Sequence, residues 1–259
     1  MSGPFAAGER VLLIDGKDRH YLLTLRDGGQ FHTHAGITDH DRIIGRPEGL
    51  TVRSGTGARY VVVRPTLADF VLAMPRGAQV IYPKDLGPLL LLADIFPGAR
   101  VLEAGVGSGA LSLALLRGGA DVVGYEIRDD FAVKAKANVE TFLGPGSPYR
   151  VEARDIYDGI DELGIDRVML DLPEPWRVVG HAEASLHPGG ILVSYLPTIG
   201  QVAQLRGALD ASAFGLARTI EVLERSWHVE GQSVRPDHRM VAHTGFLTSA
   251  RLLSAEHPV

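Results

Sequence analysis

Residues 101–111, Val-Leu-Glu-Ala-Gly-Val-Gly-Ser-Gly-Ala-Leu, place Gly105, Gly107 and Gly109 at alternate positions between an apolar run and a helix-forming run. Glycines there let the backbone turn sharply and let a ligand approach with no Cβ in the way. Glu126, in GYEIR, stands twenty-one residues after Gly105, at the end of the next apolar run. A carboxylate at that point can accept hydrogen bonds from both hydroxyls of a ribose. Together these features signal a cofactor that contains a nucleoside. They leave a dinucleotide open, because Gly105-x-Gly107-x-x-Ala110 also fits a loose NAD(P) pattern, and they leave open a purely structural turn. Glu103 moves the choice. It occupies a strand position where dinucleotide folds carry an apolar side chain, and an acid there can hold an ammonium or order the loop that does. The turn also offers no basic cradle for a pyrophosphate, so S-adenosylmethionine is the favoured reading.

A second acid follows another apolar run, in Val-Met-Leu-Asp171-Leu-Pro173-Glu-Pro175-Trp176. A strand ending there would project Asp171 into the same cleft, and the two prolines stiffen the exit. The bland reading of Asp171 is a helix cap or a solvated loop acid. Its chemical reading is electrostatic. Methyl transfer from a sulfonium to a ring nitrogen moves positive charge onto the acceptor, and a fixed carboxylate beside it favours that movement. If the acceptor is adenine N1, an Asp171 oxygen can also accept from the N6 amine.

These residues need an alternating scaffold. From residue 83 onward helices are expected at 84–96, 110–117, 129–143 and 199–212, and strands at 100–104, 121–126, 149–153, 166–171 and 190–195. Runs 219–227 and 240–249 read as a closing β-hairpin with a long polar connection. This is the grammar of an α/β, doubly wound, mostly parallel sheet, whose ligands bind beyond the carboxyl ends of the strands. The first 75 residues read differently, with short β-rich runs at 11–14, 20–25, 30–33 and 59–63 separated by Gly, Asp and Pro. The expected domains are therefore 1–75, small and β-rich, and 76–259, catalytic.

Composition sets the outer limits. The 259 residues include no cysteine, which excludes disulfides, thiolate metal sites and cysteine nucleophiles. No apolar run approaches the ~20 residues that span a bilayer. The first residues lack the basic flank and cleavage site of a signal peptide, so a cytoplasmic location is expected. With 26 Lys and Arg against 31 Asp and Glu, the formal charge is −5, the wrong sign for binding nucleic acid by bulk charge. Residues 1–75 carry nine basic and eight acidic residues, a net of +1, which leaves the remainder at −6. His32, His34 and His40, like His238 and His243, could be metal ligands by count, but no helical His-carboxylate motif accompanies them and no metal is expected.

The motifs RGAQVIYPKD, DLPEPW and RPDHRMVAHTGFL, with FHTHAGITDHDRIIGRPEG, EAGVGSGALSLALLR and ARDIYDG, make the chain resemble the bacterial and archaeal tRNA adenine-58 N1-methyltransferases over nearly its whole length. The resemblance implies a class I, Rossmann-like methyltransferase that uses S-adenosylmethionine on tRNA and assembles as a homotetramer. Carried onto this sequence, it implies that the turn of Gly105, Val106, Gly107, Ser108 and Gly109, with Glu103, Ala110 and Leu111, contacts the methionine part of the donor. Glu126 would hold the ribose. Asp155 would receive the adenine amine of the donor, with Ile156 beside the ring. Asp171 would border the donor and orient the target adenine. Gln79 and Tyr82 would line the entrance, with Tyr82 flanking a flipped base. Phe131 packs either on the adenosine or in the core. His34 and Arg42 could touch tRNA; Arg235, His238 and Arg239 would border the active site or a subunit interface. Three other readings remain: a small-molecule methyltransferase, a non-catalytic subunit of a methyltransferase complex, and an NAD-dependent dehydrogenase.

Overall fold

The computed structural model describes residues 3–77 and 79–254 and divides the chain into two compact units, Met1–Met74 and Pro75–Val259. Ala78, within the RGAQVIYPKD motif, and the extreme ends of both expected domains lie outside the described residues.

The first unit contains β1 (Arg10–Asp15), β2 (His20–Thr24), β3 (Gln30–Thr33), β4 (Gly36–Asp39), β5 (Thr51–Arg53), β6 (Arg59–Val63) and helix α1 (Leu67–Ala73). An antiparallel sheet runs β2-β1-β6-β5, and β3 and β4 form a separate hairpin. Strand alternation explains the core: Val11 and Leu13 of β1, Val52 of β5, and Tyr60 and Val62 of β6 turn inward onto Phe5, Leu25 and Ile43. The sequence reading lacked β4, β5 and α1. The first two are short, and α1 is started by a capping box in which Thr66 and Asp69 exchange side-chain-to-backbone bonds.

The second unit opens with α2 (Pro83–Leu92), followed by β7 (Arg100–Ala104), α3 (Ala110–Arg117), β8 (Asp121–Glu126), α4 (Asp129–Leu143), β9 (Tyr149–Ala153) and β10 (Ile165–Leu170). Then come α5 (Val179–Ser185), β11 (Leu186–Leu196), α6 (Ile199–Asp210), β12 (Phe214–Glu221), the hairpin β13 (Trp227–Glu230) and β14 (Ser233–Pro236), and β15 (Phe246–Leu252). The seven-stranded sheet has the order β12-β15-β11-β10-β7-β8-β9, and β15 runs antiparallel to the other six strands. Leu102, Ala104, Val168 and Leu170 face α5 and α6, in one core with Val179, Ala182, Val202 and Leu205. The opposite face, which includes Glu103, is covered by α3 through Ser112. This is the doubly wound arrangement that strand–helix alternation dictates.

Several boundaries differ from expectation: β10 runs Ile165–Leu170, one residue early at both ends, and β11 starts four residues early, at Leu186. Helix α2 stops at Leu92 rather than 96, because Asp94 takes a left-handed φ of 49° and Pro97 follows. Helix α6 ends at Asp210. The closing pair is β12 with β15, and residues 227–236 form a hairpin of their own inside the polar connection. Period-two patterning marks a strand but does not show where its partner begins.

Register brings the chemistry together. Ala104 is paired with Tyr125 on one side and Leu170 on the other. The residues that follow these three strands at once, or end them, are Gly105, Glu126 and Asp171. All three therefore reach one edge of the sheet.

Candidate active site

The glycine turn is built by two close approaches. Gly105 has φ 80°, and a Cβ there would overlap the backbone carbonyl oxygen of Asp171. Its glycine is what lets the ends of β7 and β10 lie side by side, with Asp171 N–H donating to Ala104 O at 3.0 Å. Gly109 has φ 82°, caps α3 and sits against Ala135 of α4. Between them, the Gly107 amide donates to Glu126 Oε2 at 3.0 Å, and Arg128 N–H donates to Glu126 Oε1 at 3.0 Å. Glu126 is thus buried and held by two loops, with lone pairs remaining on both oxygens.

Glu103 is 1 % exposed. Ser112 Oγ donates to its Oε2 at 2.6 Å and lies 2.8 Å from the Tyr149 hydroxyl, while Oε1 has no partner among the described residues. Burial, with Asp171 and Glu126 nearby, pushes its acid up to about 8. Burial likewise raises the half-buried Asp171 to about 7. Gln79, Glu103, Gly105, Val106, Gly107, Ser108, Ala110, Leu111 and Asp171 line one narrow cleft with Val80 and Ile81, and no Lys, Arg or His lines it. An acidic cleft with no basic counterpart, an orphaned buried carboxyl oxygen and an orphaned Ser108 hydroxyl fit a cationic, polar guest.

The other expected residues stand elsewhere. Tyr82, half-buried, is the N-cap residue of α2. Asp155 accepts from Tyr157 N–H at 2.9 Å and caps a 3-10 turn, and Ile156 packs into the core with Leu102. Phe131 is 8 % exposed, lies under the Arg128 guanidinium at 3.9 Å, and would be struck by a Cβ at Gly77. Among the described residues no group of three or more His, Asp or Glu could hold a metal. His34 instead meets Arg19, and His243 bridges Glu221 and the Pro197 carbonyl.

Residues 59–238 match a family described as "tRNA methyltransferase complex GCD14 subunit", and residues 3–52 match the TrmI-like N-terminal family. The chain belongs to the GCD14/TrmI family. It is 39 % identical over 93 % of its length, and 96 % of the relative's, to the tRNA (adenine(58)-N(1))-methyltransferase TrmI of Thermus thermophilus. Among solved structures, a SAM-dependent O-methyltransferase from Thermotoga maritima superposes with TM-score 0.94 at 31 % identity, covering 99 % of this chain and 97 % of that one. The tRNA (m1A58) methyltransferase TrmI from Aquifex aeolicus does so with TM-score 0.87 at 31 % identity, covering 97 % and 100 %. This GCD14/TrmI fold is that of the class I methyltransferases, and family and fold imply S-adenosylmethionine as the donor.

One part of this GCD14/TrmI site was missed in the sequence. Lys84 and Asp85, 2 % and 0 % exposed, form a buried ion pair at 2.8 Å. Lys84 Nζ also donates to Val222 O at 2.6 Å, and Thr244 Oγ1 donates to Asp85 Oδ2 at 2.6 Å. Tyr195 hydrogen-bonds Thr244 and has the charges of Asp85 and Asp171 nearby; burial raises it to about 12. The network ties the start of α2 to the segments that flank β12 and β15. A charged pair heading the apolar helix run KDLGPLLLL was the available signal.

Proposed function

We propose that the chain transfers the methyl group of S-adenosylmethionine to N1 of adenine 58 in the T-loop of tRNA, giving 1-methyladenosine. The observation that carries this reading is Asp171, fixed beside the glycine turn at the end of β10 in a cleft without basic residues. The donor, when bound, supplies a methyl group on a positively charged sulfur. The acids of the chain do the rest. Ionised Asp171 accepts from the N6 amine of the adenine and favours the positive charge that grows on the ring. Adenine N1 carries no proton, so no general base is needed, and the sulfonium needs no metal to leave. Glu126 would take the ribose hydroxyls, Asp155 the adenine amine of the donor and Glu103 its ammonium side. Tyr82 and Gln79 would border the flipped base. Stacking on an aromatic ring contributes about 1–3 kcal/mol per base toward unstacking.

The names of the relatives support tRNA as substrate, and the cytoplasm is the location proposed here. A homotetramer is the assembly proposed here, and it would gather the N-terminal units of four copies around one tRNA despite the net charge of each chain. The test is nucleoside mass spectrometry of tRNA after reaction, with the modified position mapped by reverse-transcription arrest. Modified nucleoside at position 58 is expected. Methylation of small metabolites with tRNA untouched would overturn the reading.

A further inference from the structure

The first unit pairs some of its arginines with acids. Arg19 meets Asp15, and Arg64 meets Glu9 and Glu48. The hairpin of β5 and β6 breaks this habit. Arg53 and Arg59 stand directly opposite each other in register, both exposed, while their neighbours Val52 and Tyr60 turn into the core. Like charges placed opposite on adjacent strands destabilise a sheet. No acid lies within ion-pair distance of either among the described residues. The sequence from 49 to 68 contains three arginines and no Asp or Glu.

Arg42 joins the pair by donating Nη1 to the Arg53 carbonyl at 3.3 Å, with Asp39 at 3.6 Å from its Nε. The strand β5 is the edge of its sheet. The turn that joins it to β6, Ser54-Gly55-Thr56-Gly57, has open space around Gly57, where a Cβ would meet nothing within 4 Å. A backbone with repeated negative charge can approach such an edge closely. Guanidinium groups suit phosphate oxygens because they bind them through two parallel donors.

We infer that Arg42, Arg53 and Arg59 form a docking surface for the phosphate backbone of the RNA substrate, an inference that rests on the tRNA reading above. The surface carries position and affinity, not sequence choice. It also explains how a chain of net charge −5 binds a polyanion: the charge that matters is local.

The double variant Arg53→Gln/Arg59→Gln tests this. The Michaelis constant for tRNA is expected to rise about tenfold at ~0.1 M salt, and the slope of log affinity against log salt to fall by about 1.5. The rate at saturating tRNA and the affinity for S-adenosylmethionine should hold. The thermal midpoint should stay or rise, because a like-charge pair has been removed. Arg53→Lys/Arg59→Lys, which keeps the charge, should stay within about threefold of the parent. An unchanged Michaelis constant and salt slope would overturn the inference, and would point to an acidic protein as the occupant. A fallen thermal midpoint with rate and donor affinity falling together would overturn it as a structural role. If the parent chain leaves tRNA unmethylated, the underlying reading fails first and visibly, before any variant is compared.

Discussion

Replacing Glu103 by Gln isolates the charge that the donor site withholds until the donor arrives. In the free protein the Glu103 carboxyl is buried, shares its surroundings with Asp171 and Glu126, and is raised to about 8. The groups facing it are acidic or neutral: Ser112 from α3, Tyr149 from β9, Glu126 at the end of β8 and Asp171 after β10. At pH 7 about 0.9 of Glu103 is therefore protonated, and at pH 9 about 0.1. A cationic donor favours the ionised form, so its binding expels close to one proton at pH 7. Apparent donor affinity then weakens about tenfold for each pH unit below ~8. The stability of the empty protein runs the opposite way. A group whose folded value lies above its ordinary value stabilises the empty protein at low pH, and that stability is lost as pH rises from 4.5 through about 8. At about 1.4 kcal/mol per pH unit the span is worth about 5 kcal/mol. Calorimetry of S-adenosylmethionine binding in buffers of different ionisation heat counts the protons. Glu103→Gln should remove about 0.9 proton at pH 7, leave at most the ~0.5 that Asp171 can contribute, and flatten the affinity profile. Equal proton release and parallel profiles in the two proteins would refute the reasoning.

Asp171→Asn should lower kcat by about 10²–10³ with donor affinity nearly unchanged, measured by single-turnover methylation beside calorimetry. Gly105→Ala drives a Cβ into the Asp171 carbonyl at a left-handed φ and should abolish donor binding before it unfolds the chain, as ligand-induced thermal shifts will show. Thr244→Val leaves the buried Asp85 one donor short and should cost about 1–3 kcal/mol in urea unfolding.

The parts of the molecule legible in the sequence are those written in local pattern. The strands β7, β8 and β9, the helices α3 and α4, and the crossing of acids with the glycine turn follow from periodicity and from what a turn between parallel strands demands. What escaped is long-range. The Lys84–Asp85 pair depends on Thr244 and the Val222 carbonyl, more than a hundred residues away, and no local pattern announces that partnership. Phe131 was undecided between core and cofactor in the sequence; its place under Arg128 depends on how the start of α4 turns. The hairpin of β13 and β14 hides in a polar connection because its valines, Val229 and Val234, are exposed and paired only with each other.

The antiparallel strand β15 has a consequence for how the molecule is made. β12 is hydrogen-bonded within the sheet to β15 alone, so it has no seat until residues 246–252 have slid in beside β11. On the ribosome, the residues that line the donor cleft, Gln79 to Asp171, have emerged long before that strand. The cleft can therefore close early, while the far flank of the sheet waits, with the edge of β11 bare, for the last part of the chain to lock it. Such a late, sequence-distant step is where a nascent chain of this kind is most open to pairing with the wrong strand.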